Sequence, residues 1–509
     1  MRWGIPRLAV PERAPSPGIS VAIGLLGGAL LAGCAPALRA PPEAARPELP
    51  AGWREQPVSS ASTVSAPAVD AAARERIRPD WWQDFGDPVL SGLVLRALDR
   101  NNDLLLAGAR LDEARATLAA SRAAEGPQLN ATLVAQGSRT LQVTGISESH
   151  IVQPGLSASW ELDLWDRLTA LTRAARLRVA ASEADRDGAA LSVAATTVQS
   201  YIALLALESQ LALSKATLDS RAEALRLAQD QARIGYISQL QLTQAQAEYA
   251  SVAQQVPQLE LTIRRQENAL AQLTGQSPGD MPRGRRFEEL DLPAPPVVLP
   301  SALLERRPDL AQASLTLAAS DATLAARRAA FMPQISFSAT GGKLYVAALD
   351  YNPLRVWSIG GSVLAPIFDA GRLQAQFDTA TAQRDQAAYA YRGRVLTAIT
   401  EVENALAGIE RLDRQRRFAQ ERREVLARSL QYAHDRYDAG YASYLEELDA
   451  QRNLFAQDND LIRIRQGELE NRLALIRALG GGWRGTTVPV APAAAASPST
   501  SAPAPSTSP

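Results

Sequence analysis

Tyr437-Asp438-Ala439-Gly440-Tyr441-Ala442-Ser443 interrupts a long stretch, 370–479, that is otherwise patterned as helix. After this turn Leu448, Phe455, Ile462, Leu469 and Ile476 recur at every seventh position. Before it Ala388, Val395, Val402 and Ile409 do the same. Apolar residues at that period form a coiled-coil seam, so the stretch reads as two very long helices joined at Gly440. The segment leading into the turn has about 65 residues without proline, roughly 100 Å of helix at 1.5 Å per residue. Helices of that length need coiled-coil neighbours, and they point to a protein that spans a distance.

Composition agrees. Of 509 residues 46% are hydrophobic but only 5% aromatic, a long-helix balance rather than that of a compact α/β core. The net charge of -1 offers no basis for nucleic-acid binding. The N-terminus carries Arg2, Arg7 and Arg13, then an apolar run from Ile19 to Leu31, too short for a membrane span and suited to a signal peptide. Leu31-Ala32-Gly33-Cys34 resembles a bacterial lipobox, which makes Cys34, the only cysteine, the candidate for a covalent lipid. An accidental cysteine is the competing reading. Ala35, rather than Asp, follows it, which by bacterial sorting logic favours the outer membrane.

The chain repeats itself. Ala116-Thr117-Leu118-Ala119-Ala120 returns as Ala322-Thr323-Leu324-Ala325-Ala326, and Pro127-Gln128 as Pro333-Gln334, 206 positions on (322 against 116). Gly235-Tyr236 with Ser238 returns as Gly440-Tyr441 with Ser443, 205 positions on (440 against 235). The expected order in each copy is helix, strand, loop, strand, long helix, glycine turn, long helix. The reading divides the chain into a signal peptide (1–33), a lipidated tether (34–80), a first copy (81–275), a linker (276–302), a second copy (303–482) and a disordered Pro/Ala/Ser tail (483–509). The first copy has a β-hairpin at 128–160 and a helical hairpin at 167–274; the second has them at 334–366 and 370–479. Asp87-Pro88 signals a helix start, and the Leu93, Leu98, Leu104, Leu111, Leu118 pattern runs on to Gly126-Pro127.

The strands alternate. Leu129, Ala131 and Leu133 interleave with Asn130 and Thr132; Ile335, Phe337 and Ala339 interleave with Ser336 and Ser338. Each is expected to be about ten residues long, the length of a tilted transmembrane strand, with 138–150 and 343–354 as exposed loops. A soluble half-buried hairpin would alternate in the same way. The polar face favours the membrane reading, since it carries small uncharged side chains, as an aqueous lumen does. Four strands cannot close a barrel and a bilayer tolerates no open edge, so membrane-spanning strands require an oligomer. A dimer gives eight strands and a filled interior; a trimer gives twelve and a passage.

Taken in order, Cys34, Trp81-Trp82 through Asp87-Pro88, Trp160-Glu161-Leu162-Asp163-Leu164-Trp165, Leu303 through Asp309, Pro366 through Arg372, and Leu448-Asp449-Ala450-Gln451-Arg452 resemble the TolC-like outer-membrane efflux channels, in the lipoprotein branch that serves tripartite drug pumps. The resemblance implies a mainly α protein with transmembrane β structure. A homotrimer would build one 12-stranded β-barrel in the outer membrane and an α-barrel of coiled-coil helices in the periplasm. The implied partners are a periplasmic adaptor and a proton-driven inner-membrane pump, with no cofactor beyond the lipid on Cys34 and no metal.

The resemblance also places Tyr437, Glu446 and Asp449 on the family's periplasmic gating positions. Arg452, three residues after Asp449, can pair with it along the helix. Three copies of the acids around one axis would form a cation-attracting ring. A solvated helix start, where acids suit the dipole, accounts for the same residues. The chain departs from some relatives at Gln241 and Ala442, where an acid and a base would stand. Gly235, Ser238, Gly440 and Ser443 fit the hairpin turns and adaptor docking. No catalytic constellation stands out, and His150 and His434 fall in different predicted regions. The reading is therefore a passive exit duct for drugs or other small toxic compounds, and not an enzyme. The alternatives are a protein-secretion duct of the same architecture and a non-pore coiled-coil adaptor lipoprotein, against which the four alternating strands count.

Overall fold

The computed structural model describes residues 36–47, 49–50, 52–55, 77–143, 145–294, 303–346 and 353–483. The expected signal peptide and Cys34, most of the tether, the end of the linker and the tail past Trp483 lie outside them.

The first copy comprises α1 (Pro88–Arg100), α2 (Asn102–Ala123), β1 (Gln128–Gln142), β2 (Gly145–Leu162), α3 (Arg167–Arg233), α4 (Gln239–Ala253) and α5 (Gln255–Leu273). The second comprises α6 (Leu303–Arg306), α7 (Pro308–Ala329), β3 (Gln334–Val346), β4 (Leu354–Leu364), α8 (Arg372–Asp438) and α9 (Tyr444–Ala478). The repeat is borne out to the residue in two pairs of elements: α3 and α8 both have 67 residues, and α2 and α7 both have 22.

Several expectations need correction. The single helix expected up to Gly126 is two, because the Asn101 side chain caps α2 by accepting from the Asp103 and Leu104 N–H groups at 2.9 and 3.3 Å. The return helix of the first copy is interrupted at Gln254, since Pro257 removes an N–H and crowds the carbonyl of Ala253. The strands are longer than ten residues, at 15, 18, 13 and 11. The loop expected at 138–150 is mostly strand: Ser138 pairs with Ser149, and an Arg139–Glu148 ion pair at 3.1 Å carries the ladder toward Gln142 and Gly145. Cross-strand charge pairs hold a ladder as alternation does. The loop expected at 343–354 loses Lys343–Val346 to β3 and Leu354 to β4.

The strands form one antiparallel sheet in the order β1-β2-β3-β4. Its register stacks like with like. Leu129, Ala158, Ala339 and Ile359 form one row, and Asn130, Ser157, Thr340 and Ser358 the next. In the polar rows Thr340 and Ser358 hydroxyls lie 2.7 Å apart, and those of Ser336 and Ser362 2.8 Å. The apolar rows are uncovered, with Leu129 69% and Ile359 78% exposed. Trp160 and Phe337 stack with centroids 6.2 Å apart. An uncovered apolar face this continuous calls for lipid.

The main core lies midway along the long helices. Trp81, Phe85, Leu90, Val198, Tyr201, Leu204, Leu270, Leu290, Leu469 and Ile476 form one cluster drawn from both copies. Leu303, Leu310, Val395, Val402 and Leu475 form a second. α3 is long and apolar enough to cross a membrane, but its Ala194, Val198, Ile202, Leu205 and Ala206 belong to the first cluster, so much of its hydrophobicity is used in packing. The coiled-coil seam is seen at Leu448, Leu469, Ala388, Val395 and Val402, all buried. From this belt α3 and α8 each extend about 40 Å in either direction, toward the sheet and toward the turn, while α9 runs from the turn and ends at the belt.

The two copies close on themselves by the same device. Asn101 donates to the Leu273 carbonyl at 3.0 Å, and its repeat counterpart Arg307 donates to the Ala478 carbonyl at 2.8 Å. Gly275 and Gly480 sit directly after those helix ends at φ +65° and +92°, where a side chain would collide with the backbone of Arg100 and Arg306. Arg307 also holds Asp309 at 2.9 Å and Glu401 at 2.8 Å. It is buried, while both partners are about one-third exposed. Arg307→Ala is therefore expected to cost about 2 kcal/mol, below the 3–5 of a fully buried broken pair. Denaturant unfolding of the variant checks this; a loss under about 0.5 kcal/mol would contradict it.

Candidate functional site at the helical tips

Both glycine turns are built alike. Gly235 and Gly440 adopt φ +79° and +75°. At the first, the Tyr236 N–H reaches the Gln231 carbonyl at 2.8 Å and the Gly235 N–H reaches Ala232 at 3.1 Å. At the second, Tyr441 reaches Arg436 at 2.8 Å and Gly440 reaches Tyr437 at 2.9 Å. This paired pattern ends a helix with a left-handed residue, which explains both glycines by backbone shape. Ser238 caps α4 in a reciprocal capping box with Gln241, so Gln241 is engaged in the turn rather than across it. Ser443 occupies the equivalent position before α9 without a side-chain capping bond.

The second turn carries the other expected residues. The ring of Tyr437 lies 5.8 Å from that of Tyr444. Glu446 pairs with Arg436 across the turn at 2.8 Å. Asp449 is 60% exposed and lies 3.4 Å from Arg452, as the three-residue spacing anticipates. Arg452's principal partner is another residue: its Nε and Nη2 both donate to Glu248 on α4, the first at 2.9 Å. Glu248 is buried.

That contact belongs to a polar lock joining the two hairpins. Arg221 on α3 is buried and donates to Gln451 on α9. Gln451 donates to Glu447 at 3.0 Å, and His434 on α8 lies 3.0 Å from the same carboxylate. Burial pulls the Arg221 pKa below its usual value, opposed by the charge of Glu248. Sequence reading missed Arg221, Glu248, His434, Glu447 and Gln451. The spacing of Glu447 and Gln451, four apart and flanking the seam residue Leu448, was a visible signal; Arg221 and Glu248 carry none, because their partners lie on other helices.

The hydrogen bond to Glu447 raises the His434 pKa, with burial opposing and Asp438, 3.4 Å from Nε2, adding to the rise. A raised histidine pKa contributes stability that is complete below about 6.5 and is lost as pH rises through the folded value. Limited proteolysis at the second turn should therefore quicken between pH 6 and pH 8.5, and His434→Gln should flatten that dependence. Parallel pH profiles for the two proteins would contradict the assignment.

The outer membrane efflux protein family matches residues 93–276 and 299–481, one match over each copy. The chain belongs to that family. It is 35% identical over 416 residues to the pyoverdine export outer membrane protein OpmQ of Pseudomonas aeruginosa, covering 79% of this chain and 87% of the relative. It is 32% identical to the probable efflux pump outer membrane protein TtgC of Pseudomonas putida, covering 87% and 92%. The crystal structure of CusC superposes with a TM-score of 0.74 at 27% identity, over 88% of this chain and 99% of that one. The protein is accordingly an outer-membrane efflux channel and not an enzyme. The alternative of a non-pore adaptor falls.

Proposed function

We propose that three copies of this chain assemble into one duct, closed at rest by the α8–α9 tips and opened by a periplasmic adaptor that couples it to a proton-driven inner-membrane pump. The observation that carries this reading is the four-stranded sheet. One face is apolar and uncovered, and among the described residues β1 and β4 are each paired on one side only. Such a sheet is stable in a bilayer only when its edges are closed by further copies. Twelve strands leave a lumen lined by the serine and threonine rows, whereas eight would fill it.

The lipid on Cys34 belongs to the same proposal. The described part of the tether runs along α8: the Arg39 carbonyl accepts from the buried Arg384 at 2.6 Å, the Arg54 N–H donates to Glu403 at 2.8 Å, and Glu55 pairs with Arg411 at 2.8 Å. Arg384 lies about 18 Å along α8 from its start beside the sheet. Arg39 lies five residue steps from Cys34, a reach of up to about 18 Å, which suffices to bring a lipid to the membrane surface. Extraction tests it: with a closed barrel, Cys34→Ser remains in the outer-membrane fraction, and metabolic labelling with a fatty acid is lost.

The cargo we assign is small and toxic or exported organic matter, in keeping with relatives named for pyoverdine export and efflux. A strain lacking the gene should become sensitive to at least one class in a panel of antibiotics, dyes, detergents, solvents and metal ions, and regain resistance when the gene is restored. An unchanged panel together with proteins missing from the medium would favour the secretion duct.

A further inference from the structure

A cavity of about 400 Å³ lies between the two hairpin tips of a single protomer. Its walls come from α3, the first turn and the start of α4 on one side and from α8 and α9 on the other, so it exists before any copy meets another. The volume lies within the range of small-ligand sites, about 300–1,000 Å³. Leu227 and Leu430 supply an apolar wall, and Tyr437 and Tyr444 bring two ring systems inclined at 56°. The charged side chains on the lining are the carboxylates of Asp438 and Glu447 together with the titratable His434. The one basic group beside it among the described residues with a contact to the lining is the buried Arg221 guanidinium, which is held by Gln451 and Tyr444 and partly offsets the charge of Glu447, leaving the two carboxylates in excess. Glu447 is 7% exposed, so its charge is felt in a poorly screened setting.

We propose that this cavity binds a drug-sized organic cation with an apolar body, held by Glu447 and the faces of Tyr437 and Tyr444. Aromatic faces and a desolvated carboxylate both favour a cation, and a quaternary or delocalised charge loses less hydration than a primary amine on entering such a site. His434 shares the Glu447 carboxylate, so the site is freest when the imidazole is neutral. A molecule lodged there touches both hairpins and ties them together. The proposal concerns the helical tip and does not depend on what passes through the lumen.

The test uses the full chain in lipid nanodiscs at pH 8.5 with tetraphenylphosphonium as probe, and empty nanodiscs as background. Saturable binding at one site per chain is expected, weakened at least tenfold by Glu447→Gln and abolished by Ala224→Trp, which fills the cavity from α3. Tetraphenylborate, the same shape with the opposite charge, should fail to displace the probe. Should Glu447→Gln not fold, Ala224→Trp and the borate decide the matter. Binding no greater than background, binding indifferent to Ala224→Trp, or equal displacement by tetraphenylborate would each overturn the proposal.

Discussion

Asp87→Ala is expected to lower stability by about 3–4 kcal/mol and to free the linker from the main core midway along the long helices. Asp87 is 1% exposed and serves two structures at once. One carboxylate oxygen accepts from the Val89 and Leu90 N–H groups at 2.7 and 3.3 Å, capping α1. The other accepts from the Tyr201 hydroxyl at 2.8 Å and the Arg285 N–H at 2.9 Å. Tyr201 accepts in turn from the Gly284 N–H at 3.0 Å. Burial pushes the Tyr201 phenol well above its ordinary pKa, with Asp87 adding to the rise, so the hydroxyl remains a donor at any physiological pH. Losing a cap costs about 1 kcal/mol, and each buried donor left without a partner costs about 1–3. These contributions overlap, which keeps the total below their sum. Asp87→Asn keeps the cap oxygen but turns a donor toward groups that need an acceptor, and should fall between. Denaturant unfolding of the three proteins measures this; a loss under 1 kcal/mol for Asp87→Ala would show that the network is not cooperative.

Arg452→Ala is expected to raise the resting conductance in planar bilayers about tenfold. The substitution leaves Glu248 buried without its cation and removes the tie between α4 and α9. Arg452 is about half exposed, so the loss is discounted for solvent screening to about 1.4 kcal/mol, a tenfold change in a two-state equilibrium. Arg452→Lys keeps the charge but not the forked geometry and should fall between. Glu446→Gln with Asp449→Asn should raise the conductance less, since both acids are exposed, but should reduce the preference for cations. A larger opening from the acid pair than from Arg452→Ala would place the lock at the ring rather than between the hairpins. Unchanged currents in every variant would remove the tip from gating.

Where a structural feature rests on local periodicity, the sequence was sufficient. The seam at Leu448 and Leu469, the turn at Gly440, the cap at Asp87-Pro88 and the polar–apolar alternation of β1 to β4 each arise from interactions within a few residues, and each appears where expected. The constant offset between copies carried the architecture, and it held further information: Asn101 with Leu273 and Arg307 with Ala478 stand in the same relation within their copies, though only the fold shows that each pair closes the base of a copy.

Interactions across the four helices at the tip could not be read in advance. The spacing of Asp449 and Arg452 on one helix is correct, yet the stronger partner, Glu248, stands two hundred residues away, on a helix whose rotation about its axis is set by core packing elsewhere. Gln241 stands where the resemblance puts an acid in some relatives, and its side chain is engaged in its own cap. The strand ends were misplaced for a related reason: a polar stretch such as Ser138–Arg139 looks like loop until a partner strand presents Glu148 opposite it. The sequence alone thus determined the elements, their repetition and the single apolar face of the sheet, because those follow from local periodicity. The tertiary structure alone decided which charges meet, where the hairpins lock and that a cavity lies between them, because rotation and register are set by packing over the whole length of the helices.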